Sequence, residues 1–154
     1  MLVVDDEPVI TSLVHETLRS HLGCRVVRAS SAEEAVTFLE EMSFQLVISD
    51  VRMPGRNGLS LFEECRERWP ELAGHFLFIT GDAGSLELHT ALERTGCPVL
   101  RKPFSMESLM AQAAGLLPKE RPAPAARPKG SDRHSARTGP RDLLNHQRPV
   151  YATA

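Results

Sequence analysis

The sequence predicts an α/β fold in which a parallel five-stranded sheet carries helices on both faces. Five short apolar segments, each bounded by turn residues, alternate with five segments whose apolar residues recur every three or four positions. Alternating strands and helices form parallel sheets, because each helix returns the chain to the same edge. Polar residues also follow several of the apolar segments, as they do at the carboxyl edge of such sheets.

The strands are recognised as short runs of apolar, often branched residues that end in polar or turn residues. The third run is the clearest, because it is uncharged from Leu46 to Ile48 before it ends at Asp50. The second run mixes Val26 and Val27 with arginines, which favours an outer position in the sheet. In chain order, the predicted strands cover residues 1–4, 24–29, 44–50, 75–80 and 98–100.

The helices are recognised by their apolar spacing and by the residues at their ends. Pro8 suits the first turn of the first helix, and Gly23 fits its end. Ser31 and Glu34 form a capping-box pattern that opens the second helix, and Ser105 caps the fifth. In chain order, the predicted helices cover residues 8–22, 31–39, 59–68, 86–92 and 105–117.

Charge is unevenly distributed along the 154 residues. Residues 1–117 carry 10 Lys/Arg against 17 Asp/Glu, a net charge of -7, whereas residues 118–154 carry 8 against 3, a net charge of +5. The basic segment holds six prolines and almost no periodic apolar residues, so it cannot bury enough surface to offset its ordering entropy. The sequence therefore predicts a folded domain over 1–117 and a disordered tail over 118–154.

Several classes of protein and site are excluded by the sequence. No run approaches the length of a membrane-spanning helix, and no secretory signal precedes the first strand, so we expect a cytoplasmic protein without a membrane segment. Cys24, Cys65 and Cys97 are too widely spaced for a zinc site and odd in number for a disulfide framework. No folded DNA-binding element is expected in the tail.

Side chains of three complementary chemical types, carboxylate, hydroxyl and ammonium, stand at the ends of four predicted strands: Asp5 and Asp6, Asp50, Thr80, and Lys102. The ends of parallel strands share one edge, so these residues should converge. Clustered carboxylates with open water positions suit Mg²⁺. A carboxylate can also attack phosphorus, and ammonium and hydroxyl groups can then neutralise the phosphoryl oxygens. The pattern thus predicts phosphoryl-transfer chemistry.

In their order and spacing, residues 1–117 resemble the receiver domain of two-component response regulators. The resemblance implies a flavodoxin-like (βα)5 three-layer sandwich with strand order 2-1-3-4-5. It also implies a cis bond between Lys102 and Pro103. The motifs that carry the resemblance are Asp5-Asp6, Asp50, Met53-Pro54-Gly55, Gly58, Thr80 and Lys102-Pro103-Phe104.

The resemblance implies a role for each residue at the edge. Asp50 would be the phosphoacceptor, Thr80 would hydrogen-bond the phosphoryl group, and Lys102 would pair with it. Mg²⁺ would be the cofactor, bound directly by Asp6 and largely through water by Asp5. The complete set of implied metal ligands is Asp5, Asp6, Asp50 and the main-chain carbonyl of Arg52.

The implied partner is a sensor histidine kinase or a histidine phosphotransfer domain, and the protein would signal by a conformational shift rather than by enzymatic turnover. The segments around Thr80 and 95–100 also resemble receivers fused to hybrid histidine kinases. One departure is Val99, which stands where receivers often carry an aromatic switch residue.

Two alternatives stay open at this point. A receiver-like fold could act as a scaffold or binding module without being phosphorylated, with the basic tail as the contact segment. An aspartate-nucleophile phosphatase is the second alternative, but such enzymes need an acidic residue two positions after the nucleophile, and Arg52 stands there.

Overall fold

The structure is a computed structural model that describes residues 1–81 and 86–118. The predicted disorder of the tail falls on residues outside this range, apart from Pro118. The described strands and helices alternate as predicted. The strands are β1 (Leu2–Val4), β2 (Val27–Ala29), β3 (Val47–Asp50), β4 (Phe76–Thr80) and β5 (Val99–Arg101), and the helices are α1 (Pro8–Leu22), α2 (Ala32–Glu41), α3 (Gly58–Arg68), α4 (Leu86–Thr95) and α5 (Met106–Leu116).

All five strands lie parallel in one sheet with the order β2-β1-β3-β4-β5. The predicted order is therefore confirmed, and β2 is an edge strand as its mixed composition indicates. The register places Val4 beside Ser49, Asp50 beside Ile79, and Thr80 beside Arg101. The carboxyl ends of β1, β3, β4 and β5 consequently lie at nearly the same level.

The two faces of the sheet bury two separate apolar cores, because successive side chains of a strand point to opposite faces. Phe76 and Phe78 of β4 belong to the core on one face, whereas Leu77 and Ile79 belong to the core on the other. The first core also contains residues of α2, α3 and α4, and the second contains residues of α1 and α5. The predicted three-layer sandwich is therefore confirmed.

An aromatic cluster anchors α3 to β4. The ring of Phe62 lies edge-on to Phe76 and Phe78, with centroid distances of 5.3 Å and 5.7 Å. Edge-to-face pairs add about 0.5–1.5 kcal/mol beyond the burial of their area. The α3 helix begins directly after the loop that follows Asp50. By packing α3 against β4, the aromatic cluster also positions the C-terminal end of that loop.

In two places, the helices depart from simple apolar and capping patterns. On α1, the apolar residues Val9 and Leu13 are 76% and 48% exposed, while Thr11 and Thr17 are buried. At α2, Ser31 accepts a hydrogen bond from the Glu34 backbone, as a capping box requires. The Glu34 carboxylate, however, accepts from the backbone and hydroxyl of Ser30 rather than from Ser31.

Candidate functional site

The residues that the sequence places at strand ends converge at the carboxyl edge of the sheet. Asp50 and Thr80 are the last residues of β3 and β4, and Asp5 directly follows β1. These three residues are buried, whereas Asp6 is exposed. Lys102 follows β5 and its side chain is 18% exposed. The predicted convergence is therefore seen for Asp5, Asp6 and Asp50, whose carboxylates form one group, and for Lys102, which contacts two of them.

Lys102 lies at the centre of this edge and contacts three carboxylates. Its Nζ donates to Oδ2 of Asp50 at 2.8 Å, to Oδ2 of Asp5 at 3.0 Å and to Oε1 of Glu7 at 3.0 Å. An ammonium group has three N–H donors, so three carboxylates can use all of them. The backbone N–H of Lys102 also donates to the Thr80 carbonyl at 2.8 Å, which holds the β5 loop beside β4. The Lys102–Pro103 bond is cis.

The two buried carboxylates are oriented by their own loops. Oδ1 of Asp5 accepts the Glu7 backbone N–H at 2.8 Å, and Oδ1 of Asp50 accepts the Arg52 backbone N–H at 3.1 Å. Such local bonds from a carboxylate to the backbone two residues on are typical of Asx turns. Each carboxylate thus uses Oδ1 to fix its loop and directs Oδ2 to Lys102.

The backbone of α3 approaches Asp50 closely at its first residue, Gly58. The Gly58 N–H donates to the Val51 carbonyl at 3.0 Å. A Cβ atom at this position would lie 2.2 Å from the Asp50 carbonyl oxygen and 2.9 Å from the Ser49 hydroxyl. Only glycine allows this approach, which explains the Gly58 of the sequence motif.

For both Asp5 and Lys102, burial shifts the pKa in one direction and the contacts with charged or polar partners shift it in the other. Burial raises the pKa of Asp5 above its ordinary value of 3.8, although the bonds from Glu7 and Lys102 oppose this effect. Burial also opposes the charged form of Lys102, but hydrogen bonds to Asp50, Glu7 and Asp5 outweigh it and raise the pKa above 10.5. Both partners therefore shift upward, and the lysine stays charged at neutral pH.

The acidic residues form a set that fits a hard divalent cation. Carboxylate oxygens of Asp5, Asp6 and Asp50 lie within 4.8 Å of one another. Mg²⁺ prefers oxygen ligands and is commonly held by one or two carboxylates and several waters. Two of the three carboxylates are buried and oriented by backbone N–H groups, so the oxygens are presented without large rearrangement. The donor chemistry consequently matches the predicted metal.

Glu7 is the member of this edge that the sequence reasoning did not assign. It follows Asp5 and Asp6 directly in the sequence, and its contact with Lys102 bridges 95 positions of the chain. A third acidic residue directly after the predicted acidic pair is the sequence signal that could have identified it. Val99, at the usual aromatic position, is half-buried in β5.

The strand order and the acidic edge define the CheY-like class of doubly wound α/β domains. Within this class, the chain belongs to the response regulator receiver domain family, whose family model matches residues 1–114. The predicted resemblance is thereby confirmed. The more specific link to receivers of hybrid histidine kinases stays a prediction.

Individual proteins support the same assignment. The chain is 32% identical over 130 residues to the transcriptional regulatory protein TrcR of Mycobacterium tuberculosis, covering 82% of this chain and 49% of that protein. It is 32% identical over 117 residues to the aerobic respiration control protein ArcA of Escherichia coli, covering 76% and 48%. The chain thus spans about half the length of these curated relatives.

Solved structures of receiver domains have the same fold as this chain. The receiver domain of NtrX from Brucella abortus superimposes with a TM-score of 0.67 at 32% identity, covering 75% of this chain and 96% of that chain. The chemotaxis protein CheY4 of Vibrio cholerae gives a TM-score of 0.67 at 29% identity, with the same coverage. Among the described residues, the helices are too short or too polar to cross a membrane.

Proposed function

We propose that this domain accepts a phosphoryl group on Asp50 from a histidine kinase or a histidine phosphotransfer protein, with Mg²⁺ as cofactor, in the cytoplasm. The observation that carries the proposal is the contact between Lys102 Nζ and Asp50 Oδ2 at 2.8 Å, inside a cluster of oxygens suited to a divalent cation. A carboxylate oxygen held beside an ammonium group can act as a nucleophile towards phosphorus, and the ammonium can then neutralise a phosphoryl oxygen.

The proposed step is an in-line displacement at phosphorus. A carboxylate oxygen of Asp50 attacks the phosphorus atom, and the bond from phosphorus to the donor breaks. That bond is P–N in a phosphohistidine and P–O in acetyl phosphate, and its electron pair leaves with the donor. The protein's task is to position the carboxylate and to neutralise the phosphoryl oxygens.

The residues of the edge divide this task. Asp5, Asp6, Asp50 and the main-chain carbonyl of Arg52 would hold Mg²⁺, which supplies charge neutralisation for the phosphoryl oxygens when bound. Lys102 would exchange its Asp50 contact for a phosphoryl oxygen. Thr80, buried at the end of β4, would donate its hydroxyl to the same group.

Signalling would follow from this change of contacts. The Thr80 hydroxyl and the Lys102 ammonium would turn to the phosphoryl oxygens, and these new contacts would shift the population towards a second conformation. Slow hydrolysis of the acyl phosphate by water would restore the free carboxylate. The domain would therefore act as a switch and not as an enzyme that turns over a substrate.

Incubation with acetyl phosphate and Mg²⁺, followed by intact-mass measurement, tests the proposal. We expect one phosphoryl group on the wild type, none on Asp50→Asn, and none when a chelator removes Mg²⁺. Glu67→Gln is the control, because it removes one charge from an exposed position of α3. Far-UV circular dichroism checks that each variant is folded.

The possible outcomes distinguish a phosphoacceptor domain from a scaffold or binding module. An adduct that persists in Asp50→Asn would refute the assignment of the phosphoacceptor. A folded wild type that gains no adduct would refute phosphoacceptor chemistry and favour a scaffold or binding module. Deletion of residues 118–154 would then test the scaffold reading, because partner binding through the tail would be lost.

A further inference from the structure

The three carboxylate partners of Lys102 differ in their relation to the acidic cluster. Asp5 and Asp50 belong to the set whose oxygens lie within 4.8 Å of one another, together with Asp6. Glu7 is not a member of that set, although its Oε1 lies 3.0 Å from Lys102 Nζ. A cation bound to the cluster would therefore draw on two partners of Lys102 and leave the third.

A cation in the acidic cluster and the Lys102 ammonium would compete for the carboxylates of Asp5 and Asp50. Oδ1 of Asp5 and Oδ1 of Asp50 each accept a backbone N–H group, which leaves Oδ2 as the oxygen of each carboxylate without such a bond. Lys102 contacts these two Oδ2 atoms at 3.0 Å and 2.8 Å. A divalent cation with the stronger field would weaken both contacts, and the ammonium needs another anionic partner nearby.

We propose that Glu7 is a positioning residue that receives the Lys102 ammonium when a divalent cation binds the acidic cluster. The inference rests on the proposed function, because it takes the cluster of Asp5, Asp6 and Asp50 as the metal site. Lys102 would then stay beside Asp50, ready to contact the phosphoryl group, instead of competing with the metal.

The placement of Glu7 suits this role. The Glu7 backbone N–H donates a hydrogen bond to Oδ1 of Asp5, and Glu7 is the N-cap residue of α1. These two features fix the Cα of Glu7 relative to the acidic cluster. Its side chain is 60% exposed, which lowers the cost of holding the ammonium alone. The Glu7–Lys102 pair strengthens when the two other carboxylates turn to the metal. That difference between the two states adds to metal affinity.

Metal titration without any phosphoryl donor tests the proposal. Mg²⁺ is titrated into wild type and Glu7→Gln by calorimetry, and Mn²⁺ binding is followed independently by water proton relaxation. We expect Glu7→Gln to bind about three- to fivefold more weakly, the factor that an ion pair with one exposed partner is worth. The Glu7 side chain makes no capping hydrogen bond to α1, so glutamine leaves the helix start intact.

Two controls separate a contact through Lys102 from a general effect of charge. Glu16→Gln removes the same charge from an exposed position of α1, where the carboxylate pairs with His15, and should leave the affinity unchanged. In a Lys102→Gln background, Glu7→Gln should have almost no effect, because no ammonium needs a second position. A double-mutant cycle over Glu7 and Lys102 reports this coupling.

The outcomes are distinguishable from failure of the proposed function. Equal affinities for wild type and Glu7→Gln would overturn the positioning role, even with acetyl phosphate chemistry at Asp50 intact. An equal loss in the wild-type and Lys102→Gln backgrounds would overturn it as well, since Glu7 would then act only by its charge. A folded wild type that binds no Mg²⁺ would overturn the metal site itself.

Discussion

Replacement of Gly58 by alanine tests how α3 and the acidic edge are joined. The added Cβ would lie 2.2 Å from the Asp50 carbonyl oxygen, which is 0.8 Å inside the 3.0 Å limit that Cβ contacts essentially never cross. The obstructing atom belongs to the backbone, so no rotamer change relieves the overlap. The start of α3 must therefore move away from β3 by most of an ångström.

The magnitude follows from what α3 carries. Its buried residues Leu61, Phe62 and Cys65 pack in the core, so a shift of the helix start disturbs their contacts. Overpacking in a core costs about 1–3 kcal/mol, and we expect the upper end, about 3 kcal/mol, because rigid backbone is displaced. At about 4 °C per kcal/mol for a domain of this size, Tm should fall by about 12 °C.

Gly115→Ala is the matched control for this change. Gly115 lies in α5 with nothing within 4 Å of the added Cβ. Alanine should therefore stabilise the helix by about 0.5–1 kcal/mol. Urea denaturation followed by circular dichroism measures both variants. If Gly58→Ala unfolds at the same urea concentration as wild type, the close approach of α3 to Asp50 is not rigid and the reasoning is wrong.

Three further predictions follow from individual contacts. Phe62→Ala should lose about 3–5 kcal/mol in urea denaturation, because the ring is 2% exposed and packs on two other phenylalanines; a loss below about 1 kcal/mol would contradict this. Since the pKa of Lys102 is raised in the folded protein, its pairing contributes fully below pH 10.5 and is lost as the pH rises through the folded pKa. As the pH rises above 10.5, the free energy of unfolding of the wild type should thus fall more than that of Lys102→Gln. If the free energies of the two proteins fall in parallel with pH, the pairing is refuted. Since burial raises the pKa of Asp5 above 3.8, the Mg²⁺ affinity measured by calorimetry should begin to fall at a higher pH than for an ordinary carboxyl group; a constant affinity from about pH 7 to about pH 4 would speak against Asp5 as a ligand.

Much of the fold could be predicted because its signals are local. The predicted span of the first helix, 8–22, agrees with Pro8–Leu22, since a proline at its start and Gly23 in the left-handed region at its end are both written in the sequence. The second strand was predicted too long, as 24–29 against Val27–Ala29. Pairing with β1 fixes where that strand starts, and pairing is not a local property.

The convergence of the acidic residues with Lys102 was also predictable, because parallel strands all end at one edge. The side on which α1 is exposed was not. Val9 and Leu13 fit an apolar helical pattern, yet both are exposed while Thr11 is buried. The position of α1 against α5 and the sheet decides which side of the helix is covered, and the helical period alone does not supply that position.

The sequence by itself determined the alternation of strands and helices, the caps of α2 and α5, and the residue types at the strand ends, since each depends on neighbours within one or two turns. Only the tertiary structure decided that Lys102 contacts Glu7 as well as Asp5 and Asp50, and that Gly58 lies against the Asp50 backbone. These contacts depend on distances of a few ångströms between separate elements. Strand order, register and loop path set those distances together, and no local pattern encodes them.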